Sequence, residues 1–206
     1  MCSRFQSGQT PITDGRKIPE EMECPVDNVN IKLCRSGFPL FRKFGFTPNT
    51  LTWLSFAFGL LAFYTLIQKQ YALTGVFLYI GYIFDCCDGN YARTYGMTSA
   101  FGDALDHATD FIVHGIIMAI LFAQGHTTFL AIYIGLLLLL LPQMFFQECV
   151  YAKPTATLTV YEDVRKKMGM SRDTCKKGLK YSRYFGVGVV NLLIALAFVY
   201  LQFSTK

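Results

Sequence analysis

Charged residues are absent from four long stretches of the chain: residues 44–68, 70–84, 111–147 and 184–205 contain no Asp, Glu, Lys or Arg. A helix needs roughly 20 apolar residues to cross a hydrocarbon core. The third stretch holds most of two crossings, with a turn at Gln124-Gly125-His126. The second is short and runs straight into an acidic segment. The pattern predicts an all-α, polytopic transmembrane helix bundle of about five spans, at about 48–68, 71–93, 102–123, 127–150 and 183–203. Core helices of soluble proteins rarely carry charge-free runs of this length, which sets that class aside. Thr47-Pro48-Asn49 opens the first span, with Thr47 placed to cap the helix and Pro48 suited to its first turn.

The segments outside the spans are of different kinds. Residues 1–27 are polar, with Gly, Pro and the acids Glu20, Glu21 and Glu23, and read as a cytoplasmic tail that is disordered at least at its start. Residues 28–206 then form the membrane domain, beginning with residues 28–45. There Ile31, Leu33, Phe38, Leu40, Phe41 and Phe44 alternate with Lys32, Arg35, Arg42 and Lys43, as suits a segment lying in the membrane interface. Gly37 and Pro39 argue against one unbroken helix there. The loop at 151–183 carries nine Lys and Arg. No internal repeat is present.

Charge adds orientation. With five spans, all but Lys69 and Lys206 of the 19 Lys and Arg fall on one side. The positive-inside rule makes that side cytoplasmic. The first apolar run begins near Phe44, after a polar stretch, so the first span is expected to act as an uncleaved insertion signal. The net charge of +5 follows from this topology and from contact with anionic lipid, and no nucleic-acid-binding module stands behind it. The seven cysteines form no CxxC pair, which argues against zinc. Nearly all lie on the reducing side or in the membrane, so free thiols are expected.

The acidic residues carry the chemistry. Five of the fourteen Asp and Glu lie between Asp85 and Asp110: Asp85, Asp88, Asp103, Asp106 and Asp110. An unpaired carboxylate beside a bilayer costs several kcal/mol, so such residues persist where they face a polar cavity and bind something positive. Asp85 and Asp88 are three apart near the end of the second span, and Asp106 and Asp110 are four apart near the start of the third. Those spacings stack side chains on one helix face. Two antiparallel spans joined by a short turn would bring four carboxylates together as a two-helix clamp. A divalent cation relieves their repulsion, and oxygen ligands favour Mg²⁺, Mn²⁺ or Ca²⁺. Gly89 and Ala92 lie four residues after Asp85 and Asp88, with Gly102 on the facing helix, and they leave room for a flat or phosphorylated ligand. Arg93 is placed to hold a phosphate oxygen. The combination suggests phosphoryl-transfer chemistry on a diphosphate.

The run from Asp85 through Asp88, Gly89, Ala92 and Arg93, then after eight residues Gly102, Asp106 and Asp110, resembles the CDP-alcohol phosphotransferase signature at every fixed position. The resemblance covers 26 residues, and Thr-Pro-Asn at the first span is similar to the family's pattern there. It implies transfer of a phospho-alcohol from a CDP-linked donor to a lipid or alcohol hydroxyl, with release of CMP. It implies one or two Mg²⁺ or Mn²⁺ on Asp85, Asp88, Asp106 and Asp110, with Asp110 the usual general base. Asp85, Gly89, Ala92 and Arg93 would contact the cytidine diphosphate, with Gly102 making room and Asn49 a helper. A homodimer is also implied. So is a place in the endoplasmic reticulum membrane of a eukaryote or the inner membrane of a bacterium.

Asp103 directly after Gly102, and His107 directly after Asp106, resemble the choline/ethanolamine phosphotransferases. There the His is a candidate base, so His107 is a rival or partner to Asp110. Those enzymes are longer, and this chain is one span short of the six usual in the family. Two substrate versions stay open: CDP-choline or CDP-ethanolamine with diacylglycerol, and CDP-diacylglycerol with inositol, serine or glycerol phosphate. A cation transporter would use such acids but needs no Arg beside them, and an inactive relative would not need the whole signature. His114 and His126 read as structural, Cys86 and Cys87 as spacers, and Arg183 as the first choice for an acceptor head group or lipid phosphate.

Overall fold

The computed structural model describes residues 14–151 and 165–204. Among these, all regular structure is helical. Helix α1 (Pro25–Lys43) precedes α2 (Pro48–Ile67), α3 (Tyr71–Tyr95), α4 (Ala100–Ala123), α5 (Thr127–Leu138), α6 (Leu140–Tyr151), α7 (Arg172–Ser182) and α8 (Val187–Ser204). Five helical stretches are long and apolar enough to cross a membrane: α2, α3, α4, α5 with α6, and α7 continuing through a 3₁₀ turn into α8. The chain is an integral membrane protein of the all-α class.

Local signals explain several boundaries. Thr47 caps α2, its hydroxyl accepting from the Thr50 amide at 3.2 Å while the Thr50 hydroxyl accepts from the Thr47 amide at 3.3 Å. Gly96 ends α3 in the left-handed conformation. Ser99 caps α4 through the Gly102 amide at 3.0 Å.

Helix α2 packs against both α3 and α4, whereas α3 and α4 have almost no direct packing despite the short connection between them. Helix α8 lies along α3 on its other side. Beyond Asp110, toward the other end of the bundle, Phe63, Leu66, Tyr71, Ile117, Leu121, Phe129, Tyr133, Ile194 and Phe198 close one core. Two polar links cross that half of the bundle: His126 Nε2 to Tyr71 Oη at 2.7 Å and His114 Nδ1 to Tyr133 Oη at 2.7 Å. Both histidines thus have structural partners. Near the acidic residues a second core joins α1, α2 and α3 through Cys34, Phe38, Leu51, Cys87 and Tyr91.

Three expectations about the acidic end of the bundle and the segment ahead of it are corrected. First, α1 runs unbroken through Gly37 and Pro39. The lost hydrogen bond is outweighed because Phe38 stacks edge-on against Tyr91, at 5.1 Å between ring centroids, and Arg42 lies over the Tyr95 ring at 4.5 Å. Tertiary packing, not local propensity, holds this helix. Second, the described part of the expected tail is packed. Ile18 and Cys24 are buried, and the Asp27 carboxylate accepts hydrogen bonds from Tyr82 and from the Gly188 amide, tying α1 to α3 and α8. Residues 1–13 and 152–164 lie outside the described residues. Third, Cys34 is bonded to Cys87 and Cys149 to Cys175, so four of the expected free thiols are paired, and Cys87 is no mere spacer. The packing of α1 on α3 brings the Cys34 and Cys87 Cα atoms to 5.1 Å across a sequence separation of 53. Cys24 and Cys86 are free thiols.

Two outcomes are expected. Gly75 of α3 touches the backbone of α8, where an added Cβ would lie 2.5 Å from the Ala195 carbonyl oxygen. Gly75→Leu should therefore destabilise the protein by about 1–3 kcal/mol, read as a lower unfolding temperature in detergent. Burial, reinforced by the nearby Asp27 charge, raises the Glu23 pKa from 4.5 to about 7. The folded chain then holds an extra proton between those values, so stability falls as pH rises from about 4.5 to 7. Glu23→Gln should flatten the stability profile across that window and leave it unchanged at more acid pH.

Candidate active site

The site lies where the C-terminal half of α3 and the N-terminal half of α4 face each other across a gap. Because α2 packs on both, its first turns form the third wall. The cleft is open to solvent and encloses about 90 Å³. From α2 it is lined by Pro48, Asn49 and Thr52, and from α3 by Asp88, Gly89, Ala92 and Arg93. Gly102, Asp103 and Asp106 line it from α4. The anticipated clamp of two helices is therefore a three-helix site.

Asp85, Asp88 and Asp106 come together, Asp88 and Asp106 lining the cleft and Asp85 lying behind them. One carboxylate oxygen from each lies within 4.8 Å of the others. Asp88 is buried and its Oδ2 accepts from the Thr52 hydroxyl at 2.5 Å, which orients the carboxylate across the α2–α3 contact. Asp106 Oδ1 is buried and meets no hydrogen-bond partner within the protein. An orphaned buried carboxylate oxygen beside two further carboxylates fits an oxygen-ligated divalent cation. Asp110 lies one helical turn beyond Asp106, away from the 96–99 connection, as Asp85 lies one turn before Asp88. It is exposed, outside the three-carboxylate group, and within electrostatic reach of Asp85 and Asp88.

The other anticipated residues fall into two groups. Asn49, Gly89, Ala92, Arg93 and Gly102 all line the cleft. Both glycines are crowded by polar groups rather than by hydrocarbon. A Cβ on Gly89 would lie 3.1 Å from Arg93 Nη1, and one on Gly102 would lie 3.2 Å from Asn49 Oδ1. The N-termini of α2 and α4 both open on the cleft, adding positive potential for an anionic ligand. His107 does not line it. Its side chain is 71% exposed, and Nδ1 is 3.9 Å from Asp106 Oδ2, beyond hydrogen-bond distance. Arg183 donates through Nη1 to the Glu21 carbonyl, lies 5.1 Å from the Tyr184 ring centroid, and has a buried Nε with no partner.

Thr52, Met97, Thr98 and Ser99 also line the cleft and were not anticipated. A lone Thr in an apolar span carries no signal by itself. Its place three residues after Asn49, on the same helix face, was the available clue.

The sequence model for CDP-alcohol phosphatidyltransferase matches residues 46–202, which takes in every wall of the cleft. The archaetidylinositol phosphate synthase of Pyrococcus horikoshii is 41% identical over 94 residues, covering 46% of this chain and 46% of that protein. The match thus spans about half the length of that relative. With the family's span covering most of the chain and the acidic helices at its centre, the protein belongs to the CDP-alcohol phosphatidyltransferase family.

Proposed function

We propose that this chain is a phospholipid-synthesis enzyme that transfers a phospho-alcohol group from a CDP-linked donor to a hydroxyl acceptor and releases CMP. The observation that carries the reading is the approach of Asp85, Asp88 and Asp106 within 4.8 Å, with Asp106 Oδ1 buried and unpartnered, beside a cleft lined by Gly89, Ala92, Arg93 and Gly102. Asp85, Asp88, Asp106 and Asp110 would hold one or two Mg²⁺ or Mn²⁺. Bound there, the cation supplies charge neutralisation to the diphosphate as CMP leaves.

The chain's own groups do the rest. Gly89 and Ala92 let the nucleotide approach the α3 backbone, and the Arg93 guanidinium offers a fork of N–H donors to a phosphate oxygen. Asn49 orients the ligand from the α2 side. Asp110 takes the proton of the acceptor hydroxyl as general base. His107 is the second candidate; neither residue lines the cleft, and Asp110 is favoured because it stands one turn from Asp106 on the same helix face, within electrostatic reach of Asp85 and Asp88.

Between the two substrate versions, the likeness to a protein named for making archaetidylinositol phosphate supports a CDP-linked lipid donor with a small alcohol acceptor of the inositol phosphate kind. Arg183, with its partnerless Nε, would receive the acceptor's phosphate. The distribution of basic residues supports a cytoplasmic site, and the family resemblance a homodimer.

Purified protein supplied with Mg²⁺ or Mn²⁺, a radiolabelled CDP-linked lipid and inositol phosphate should release CMP and form a labelled lipid product. CDP-choline with diacylglycerol should yield none; product from that pair alone would reverse the choice of substrates. Asp106→Asn should abolish CMP release, and persistence at the wild-type rate would remove the cation site from the mechanism. Asp110→Asn should lower kcat by about 10²-fold or more, while His107→Ala should leave it within about threefold. The opposite ranking would make His107 the base.

A further inference from the structure

The segment ahead of α1 is organised around one carbonyl oxygen. Gly15 O accepts from Asn90 Nδ2 at 2.9 Å and from Arg93 Nε at 2.8 Å. Both donors stand on α3 just beyond Asp88. Gly15 has a φ of 70°. A Cβ at this position would lie 2.6 Å from the Asn90 carbonyl oxygen and would collide with the Thr94 hydroxyl. Only glycine brings a carbonyl this close to α3 in that conformation. Asp14 Oδ1 closes the turn by accepting from the Arg16 amide at 3.1 Å.

The segment is held at several points. Arg16 Nη1 donates to Asn28 Oδ1 of α1 at 2.5 Å. Lys17 Nζ pairs with Glu148 of α6 at 3.2 Å. Ile18 and Cys24 are buried, and Arg183 donates to the Glu21 carbonyl. The strap so formed reaches from α6 across to the end of α3.

Arg93 is the residue of the cleft that this strap touches. Its Nε is taken by Gly15, and its Nη1 and Nη2 atoms would lie 3.1 and 3.4 Å from a Cβ at Gly89. The terminal nitrogens thus lie beside Gly89, where both residues line the cleft. We infer that the strap at residues 14–24 positions Arg93 for the donor's diphosphate, with the Gly15 carbonyl as the positioning group. This rests on the CDP-linked donor proposed above. A long arginine side chain otherwise samples many rotamers, and fixing it before the ligand arrives removes that cost from binding.

The test uses the full-length protein and two readouts, calorimetric binding of CDP with Mg²⁺ and steady-state kinetics. Gly15→Ala should weaken CDP binding and raise the donor KM about tenfold, the scale of one charge-assisted hydrogen bond, with the acceptor KM unchanged. In an Arg93→Lys background, which lacks Nε, Gly15→Ala should add no further loss. Asp14→Ala loosens the same turn without adding bulk against α3, and should shift CDP affinity about threefold in the same sense. It serves as the deciding variant if Gly15→Ala does not fold. Unchanged CDP affinity in the folded variant overturns the proposal. So does an equal rise in donor and acceptor KM, or a further tenfold loss on the Arg93→Lys background, since a merely structural strap gives those results. Wild-type protein that neither binds CDP nor releases CMP overturns the donor reading and the strap's role together. Wild type that binds CDP as tightly as the strap variants do overturns the strap's role alone.

Discussion

The mutual repulsion of carboxylates at the end of a membrane bundle is the constraint around which this protein is built. Three of them approach within 4.8 Å, on helices that have almost no direct packing on each other. At low dielectric such charges are expensive to hold together. Helix α2 makes the arrangement possible by packing on α3 and α4 at once. It contributes the Thr52 hydroxyl to Asp88, and its capped N-terminus opens on the same cleft. A cation would relieve the remaining repulsion, in keeping with the proposed metal site.

The far half of the bundle bears the mechanical load. Its apolar core and two histidine–tyrosine links hold α2, α3, α4, α5 and α8 in a fixed relation. The near half is polar and open, and its geometry is set from outside the spans. Helix α1 is attached to α3 by the Cys34–Cys87 bond and by the rings of Phe38, Tyr91 and Tyr95, and to α8 through Asp27. The strap ahead of α1 continues that enclosure to Arg93. The site thus has its rigid support in the apolar half of the bundle, while α1 and the strap close it from outside the spans. Catalytic and binding groups are commonly placed in that way on rigid scaffolds.

The corrections to the sequence reading share one origin. Gly37 and Pro39 lower local helix propensity, yet α1 passes through both because its aromatic face is covered. Residues 14–27 have the composition of a tail, yet Ile18, Cys24 and Asp27 are buried. Cys34 and Cys87 are 53 residues apart, and nothing in either neighbourhood announces the pairing. In each case a contact distant along the chain decides the outcome.

What the sequence determined by itself was set by short-range periodicity and by solvent. Charge-free runs of membrane length dictate the spans, since hydrocarbon tolerates neither unpaired charge nor unpaired backbone. The three- and four-residue spacings of Asp85 with Asp88 and Asp106 with Asp110 dictate which acids share a helix face. The tertiary structure alone decided how far apart the two acidic helices stand, that α2 fills the space between them, that His107 turns away from the cleft, and that Gly15 reaches Arg93. Those outcomes depend on helix crossing and on close approach at single residues. Neither leaves a periodic trace, so neither is legible until the chain is folded.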